Sequence, residues 1–304
     1  MKTTARPYCN EDDYNRIRAL LQEIYAISGP PFYCSVGDLD WWRFKYEDPD
    51  AAIATARLWQ TADGKLAGVA WPEADGITLF AHPHHRNLDE EMLIWAESWR
   101  LEAGATELNP LKLIAWGLQT DGPRNSVLHR HGYARTDYHQ HWHKMRSLNG
   151  PIPEISLPAG YSIRHVRGEE DVEQRVLVHR NAFTRTRVTP NTYRAIMNAP
   201  TYRPELDLVV VAPDGSFASF CIVWYDECNQ MGVFEPVGCH SQHRRRGLTR
   251  TLMCEGLRQL KHLGATVVYV GAGGNNVAAN TLYQSLGFRT VDYLYLWTKE
   301  LRGA

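Results

Sequence analysis

The sequence carries almost no surplus of charge in either direction. Its 33 Lys+Arg and 34 Asp+Glu leave a formal net charge of −1. General nucleic-acid binders usually show a basic excess or a long basic face, so that class is disfavoured. No stretch approaches the roughly 18 apolar residues of a membrane-spanning helix, and the first residues, MKTTARPYCNEDDYNRIR, lack the apolar centre of a secretion signal. None of the six cysteines forms a Cys-x-x-Cys pair, and no Cys/His spacing matches a zinc site. The expectation is reduced thiols, a cytoplasmic setting, no metal, and neither a nucleic-acid nor a membrane partner. Two phosphate-binding signatures are missing as well. Without GxxxxGK[ST] a nucleoside triphosphatase loop is disfavoured, and without GxGxxG after a strand so is a dinucleotide fold.

What is present is one unit written twice. RPYCNEDD (6–13) and RHVRGEED (164–171) both open on arginine and close on an acidic run. DGKLAGVAW (63–71) parallels DGSFASFCIVW (214–224), HPHHRNL (82–88) parallels HSQHRRRGL (240–248), and RHGYARTDY (130–138) parallels SLGFRTVDY (285–293). Each match is weak alone; four in the same order indicate a duplicated domain. Between the copies NGPIPEISLPAG (149–160) holds three prolines and two glycines, which exclude a helix or central strand. The expected division is 1–154 and 155–304.

In the second copy, short apolar runs at 206–213, 217–226, 231–239 and 266–271 read as strands. A helix is expected over 247–263, with Leu248, Leu252, Leu257, Leu260 and Leu263 in an apolar pattern. A second helix over 277–287 would end at Gly287, followed by a last strand over VDYLYLWTKEL. Strands alternating with helices around a mixed sheet place the chain in the α/β (α+β mixed sheet) class.

The densest chemistry is HSQHRRRGLT (240–249). Its arginines follow an apolar strand, precede a helix, and have no acid among them. A helix start favours anions, not cations, so the run is either a solvated turn or half of an anion site. A strand–turn–helix junction offers free backbone N–H groups, and arginine side chains suit phosphate. A bound polyphosphate would satisfy both.

Arg244-Arg245-Arg246-Gly247-Leu248-Thr249 resembles the R/Q-x-x-G-x-G/A loop of the GNAT acyltransferase superfamily, with Thr249 where that family has glycine or alanine. A second marker, Asn276-x-x-Ala279-x-x-Leu282-Tyr283 followed by Leu286-Gly287-Phe288, stands in the order the family requires. The resemblance is clear over about 206–298 and implies two tandem GNAT-like domains, an architecture like that of the mycothiol-synthase branch. It implies acetyl-CoA as co-substrate and a small-molecule amine acceptor. It places the pyrophosphate on Arg244 to Thr249 and the pantetheine arm along the backbones of Val237 and Cys239, with the Val237 N–H facing the thioester oxygen. Asn276 joins the cofactor set, and Tyr283 becomes the acid that protonates the leaving thiolate; its alternative is a core aromatic.

For the base, Glu235 is a carboxylate on an apolar strand between Phe234 and Pro236, where burial would raise its pKa. His240 and a bare water are the alternatives. Pro236 marks either a bulge beside the cofactor or the strand's end. Covalent transfer through Cys221 or Cys239 lacks an adjacent histidine–acid pair. The first copy has HPHHRNLDEE at the loop, so the glycine is gone and Asp89, Glu90 and Glu91 occupy the helix start. Leu128 stands opposite Tyr283 and Asp121 opposite Asn276. That copy is expected to be degenerate, leaving one active site. Trp41-Trp42 after Asp38-x-Asp40 are either core or the wall of an acceptor pocket. His139, His141 and His143 alternate on one strand face, expected to be solvated rather than metal-binding. A non-catalytic acyl-CoA sensor is the competing function.

Overall fold

The computed structural model describes residues 2–73, 76–102, 111–138, 140–154 and 156–302. In the first half, β1 (Thr3–Pro7), α1 (Glu11–Ser28), α2 (Val36–Phe44) and α3 (Pro49–Ile53) lead into β2 (Arg57–Thr61), β3 (Leu66–Glu73) and β4 (Gly76–Ala81). Then come α4 (Leu88–Glu102), β5 (Leu111–Leu118), α5 (Gly122–Arg130), β6 (Ala134–Arg135) and β7 (His141–Ser147). The second half repeats the order: β8 (Ser162–His165), α6 (Val172–Ala182), α7 (Pro190–Met197), β9 (Asp207–Val211), β10 (Phe217–Asp226) and β11 (Met231–Cys239). It closes with α8 (Leu248–His262), β12 (Val267–Gly273), α9 (Val277–Ser285) and β13 (Arg289–Leu301).

The sequence repeats become the same physical devices. Arg6 pairs with Asp13 as Arg164 pairs with Asp171, tying the first strand of each half to its first helix. His82 accepts from the His84 N–H, and His240 from the Gln242 N–H. Asp121 caps α5 as Asn276 caps α9. Gly132 and Gly287 take φ of 78° and 81° after those helices, a left-handed turn that glycine adopts without strain.

All strands join one mixed sheet in the order β1-β2-β3-β4-β5-β13-β7-β12-β11-β10-β9-β8, with β6 against β13. The centre is reciprocal. β7 of the first half pairs with β12 of the second, and the end of β13 pairs with β5 from Leu294↔Leu118 to Leu301↔Leu111. Each half therefore lends its last strand to the other.

The apolar stripe of α8 packs onto the second half's sheet; Leu252, Leu257 and Leu260 are fully buried. Truncating one such leucine typically costs about 2–5 kcal/mol. Leu263 lies at the helix end and is only partly buried. Another core joins the halves: Phe32 and Trp41 pack with Val172, Ile196, Trp224 and Tyr269. Among the described residues no helix is long and apolar enough to cross a membrane. The expected helix and strands of the second half are present within a few residues of their expected bounds, while α7 arises in a stretch assigned no element from sequence.

Candidate active site

The site grows from a strand that leaves its neighbour. β11 pairs in parallel with β12 from Met231↔Val267 only as far as Phe234↔Val270. It continues to Cys239 paired with β10 alone. Across from β10 the register runs Cys221↔Val237 and then Val223↔Phe234, so Glu235 and Pro236 form a bulge opposite a single residue. Pro236, which lacks an N–H, sits in that bulge; the strand does not end there. Hydrogen bonds alternate along an antiparallel pair. His240 N–H donates to the Ala218 carbonyl at 2.9 Å, which sets the phase. The backbone groups of Val237 and Cys239 therefore point away from β10, into the gap left by β12.

Beyond β11 a short turn, Ser241–His243, leads to Arg244, Arg245 and Arg246, all exposed. Arg245 and Gly247 take positive φ, 62° and 75°, which curls the chain tightly before α8. That helix starts at a left-handed Gly247 with no side-chain cap and no acid in its first turn. The arginine turn thus leads directly into an uncapped helix start. Among the described residues no carboxylate pairs with Arg244, Arg245 or Arg246; Arg246 bonds the Tyr161 hydroxyl at 2.8 Å. Thr249 turns its hydroxyl to Ser219 Oγ, 2.9 Å away, so its side chain does not crowd the turn.

Glu235 opens on a cavity of about 420 Å³ between the halves, lined from the first by Asp38, Trp42, Lys45 and Glu73 and from the second by Tyr269 and Val270. Burial pushes its carboxyl up to about 7, the charge of Asp38 adds to the effect, and Lys45 opposes it. The indole N–H of Trp224 donates to the Glu235 carbonyl at 2.6 Å. On its other side Glu235 and Pro236 border a second, more open hollow lined by Trp41, His179 and the 183–186 loop. His240, the alternative base, accepts a backbone hydrogen bond within its own turn.

Tyr283 is 5% exposed and packs in the α8 core with Leu286 and Phe288. Burial first, then the charge of Glu235, raises its phenol pKa, so it is protonated at neutral pH. Among the described residues no group hydrogen-bonds that hydroxyl. Asn276 uses its side-chain oxygen to cap α9, and the unanticipated Asn280 ties α9 to the Gly273 carbonyl at the end of β12. Burial raises the thiol pKa of Cys221 and of Cys239, which keeps both as poor nucleophiles.

His141 and His143 do not face solvent, contrary to the strand-face expectation. β7 is inserted beside β12, so both line the cavity, and burial lowers His143 to about 3. His139 lies outside the described residues. Of the aromatic pair, Trp42 lines the cavity, whereas Trp41 packs in the core joining the halves. Asp40 is a brace, accepting from Tyr14 Oη at 2.6 Å and from Thr201 N–H at 2.7 Å.

The corresponding region of the first half is filled. Asp89, at the start of α4, is 1% exposed and meets Arg124 and Arg86, each at 2.7 Å. Arg86 also grips both oxygens of Asp121. Tyr33 donates to Asp121 and accepts from the Leu118 N–H, with the Arg124 guanidinium over its ring. Lys45, Glu73, Arg124 and Gly37 were not singled out from sequence; Gly37 and Lys45 stand at the two ends of α2, Glu73 ends β3 and Arg124 lies in α5, and no local motif marks them.

The sequence profile of the Acetyltransferase (GNAT) family matches residues 177–288. A protein named mycothiol acetyltransferase from Salinispora arenicola is 29% identical over 246 residues, covering 75% of this chain and 76% of that one. Another of that name from Saccharopolyspora erythraea is 25% identical, covering 91% and 90%. In fold, the chain is similar to a tandem GNAT protein from the clavulanic acid biosynthesis pathway (TM-score 0.70, 17% identity, 100% of both chains). It is likewise similar to a GCN5-related N-acetyltransferase from Sphaerobacter thermophilus (TM-score 0.69, 20% identity, 99% and 96%). Splayed strand, arginine turn, uncapped helix and duplicated sheet agree with these matches: residues 177–288 carry an acetyltransferase domain of the GNAT family, in a chain with the fold of a tandem GNAT protein.

Proposed function

We propose that the protein transfers the acetyl group of acetyl-CoA to a primary amine of a small molecule, at one active site in the second half. The observation that carries this is Glu235: a carboxyl raised to about 7, in a bulge where β11 parts from β12, opening on the cavity between the halves. The mycothiol acetyltransferases among the relatives support a small-molecule acceptor. Arg244, Arg245, Arg246 and the N–H groups at Gly247, Leu248 and Thr249 hold the pyrophosphate of the co-substrate. The backbones of Val237 and Cys239 take its pantetheine arm, and the Val237 N–H steadies the thioester oxygen as charge develops there. Asn276 contributes by fixing the start of α9.

Glu235 removes a proton from the acceptor amine; the nitrogen attacks the thioester carbonyl, and the carbon–sulfur bond breaks as Tyr283 protonates the departing thiolate. The first half, 1–154, supplies the cavity's far wall and no cofactor site, because buried Asp89 and its arginines fill the region where a pyrophosphate would lie. The setting is cytoplasmic and no metal takes part.

Calorimetric titration of acetyl-CoA into wild type and an Arg245→Glu/Gly247→Asp variant tests the reading. One site per chain, lost in the variant, is expected, with thiol release when amines are added. Two sites would show that the first half binds too. No binding by the wild type would overturn the assignment of the loop.

A further inference from the structure

Helix α2 belongs to the first half, yet its N-terminal turn is seated on the bulge of the second. Gly37 makes this possible. A Cβ added there would lie 2.2 Å from the Trp224 Cβ, and Trp224 is the residue whose indole holds the Glu235 carbonyl. Asp40, one turn of backbone further on, bonds Thr201 of the second half. Asp38, which follows Gly37, is thereby set against the cavity that contains Glu235.

Asp38 is anchored but not satisfied. Its Oδ2 accepts from the Ser35 N–H and hydroxyl, both at 2.8 Å. Its Oδ1 has no partner and no cation lies within ion-pair distance, among the described residues. Lys45 acts on Glu73 and Glu235, Lys144 is held by Thr290, and Arg124 by Asp89. Asp38 and Glu235 therefore share a partly desolvated cavity in which Lys45 acts on Glu235 and Glu73 and no cation makes an ion pair with Asp38 among the described residues. That arrangement is unfavourable until a cation enters.

We propose that Asp38 is the ammonium anchor of the acceptor site, so that the acceptor enters as a protonated primary amine held between Asp38 Oδ1 and the Glu235 carboxylate. An ammonium offers three donors and a charge, whereas an alcohol of the same shape offers one donor and none. The enzyme then selects amines over hydroxyls before chemistry begins. Two protons leave the nitrogen in all. One goes to Glu235 and on to solvent as the amine becomes nucleophilic. The other passes, as the amide forms, to the Glu235 carboxylate regenerated by the first release, while Tyr283 gives its proton to the thiolate and regains one from solvent. Asp38 stays ionised throughout. The proposal rests on Glu235 as the base.

The test compares phenethylamine with its isostere phenethyl alcohol, titrated at neutral pH into the protein saturated with coenzyme A. Wild type binds the amine roughly tenfold to a hundredfold more tightly. In Asp38→Asn, which keeps an oxygen for Ser35, the ratio collapses toward unity. The KM for phenethylamine rises by a similar factor, while kcat and the KM for acetyl-CoA change little. Ser35→Ala breaks the helix cap but leaves the charge, and retains the ratio. Equal or undetectable binding of the two probes by wild type, or a ratio unmoved in Asp38→Asn, overturns the proposal. A ratio lost equally in Ser35→Ala also overturns it, by assigning the effect to the cap. Glu235→Gln, assayed alongside, separates the two claims. Full acetyl transfer in that variant sinks the base, while the binding ratio still judges Asp38.

Discussion

Replacing Glu235 by glutamine should move stability and activity in opposite directions. The carboxyl titrates at about 7 in the fold, against an ordinary value of 4.5 in the unfolded chain. Between those values the native state holds a proton that the unfolded chain has released. Stability must then fall as pH rises through that window. At about 1.4 kcal/mol per pH unit, the wild type is penalised above neutrality by at most about 3 kcal/mol, a ceiling because cavity water screens the charge. Glutamine keeps the shape and abolishes the titration. Urea unfolding should give nearly equal free energies for the two proteins near pH 4.5 and a more stable variant near pH 8. Acetyl transfer to an amine should fall by about 10²–10⁴-fold. Unfolding free energies that stay parallel across the range would refute the burial argument, and undiminished turnover would refute the base.

Tyr283→Phe should lower kcat by about tenfold or more while calorimetry shows acetyl-CoA binding unchanged; an unaltered kcat would leave the tyrosine as core alone and favour the sensor. Gly37→Ala drives a methyl into Trp224, an overpacking cost of about 1–3 kcal/mol, and kinetics should show a raised acceptor KM with the acetyl-CoA KM intact. Arg124→Met leaves the buried Asp89 with Arg86 as its remaining ion-pair partner and should cost about 1–3 kcal/mol by urea unfolding, without creating a second acetyl-CoA site.

The second half was legible because its signals are local. The alternation of apolar strands, the leucines of α8 and the turn glycines Gly247 and Gly287 each act within a few residues. The Arg244–Thr249 turn and the Asn276–Tyr283 helix also read directly, whereas Pro236 read as a bulge or a strand end and the register decides for the bulge. The acceptor end read only in part, through Asp38 and Trp42, for which a pocket wall and plain core were both open. Asp38, Lys45, Glu73 and His143 of the first half face Glu235 and Tyr269 of the second, and that meeting depends on α2 sitting on Trp224 and on β7 lying beside β12. The alternating histidines illustrate the limit. Their shared face follows from strand periodicity, but whether that face meets water or a cavity is decided by which strand lies alongside. α7 escaped notice because its apolar residues, Tyr193 and Ile196, are few, and its start is set by the Thr189 capping box.

The traded final strands also set the order in which the chain can become itself. During synthesis β5 emerges with one edge open, and that edge is closed only by pairs such as Leu111 with Leu301, contributed by residues made much later. Until then the growing first half presents LKLIAWGL as an apolar strand paired with β4 on one side and open on the other, a template for pairing with other chains. Contacts so distant along the chain form late and slowly. Such a ribbon of exposed backbone is what holding chaperones protect, and a stop codon anywhere before β13 would leave it bare for the lifetime of the fragment.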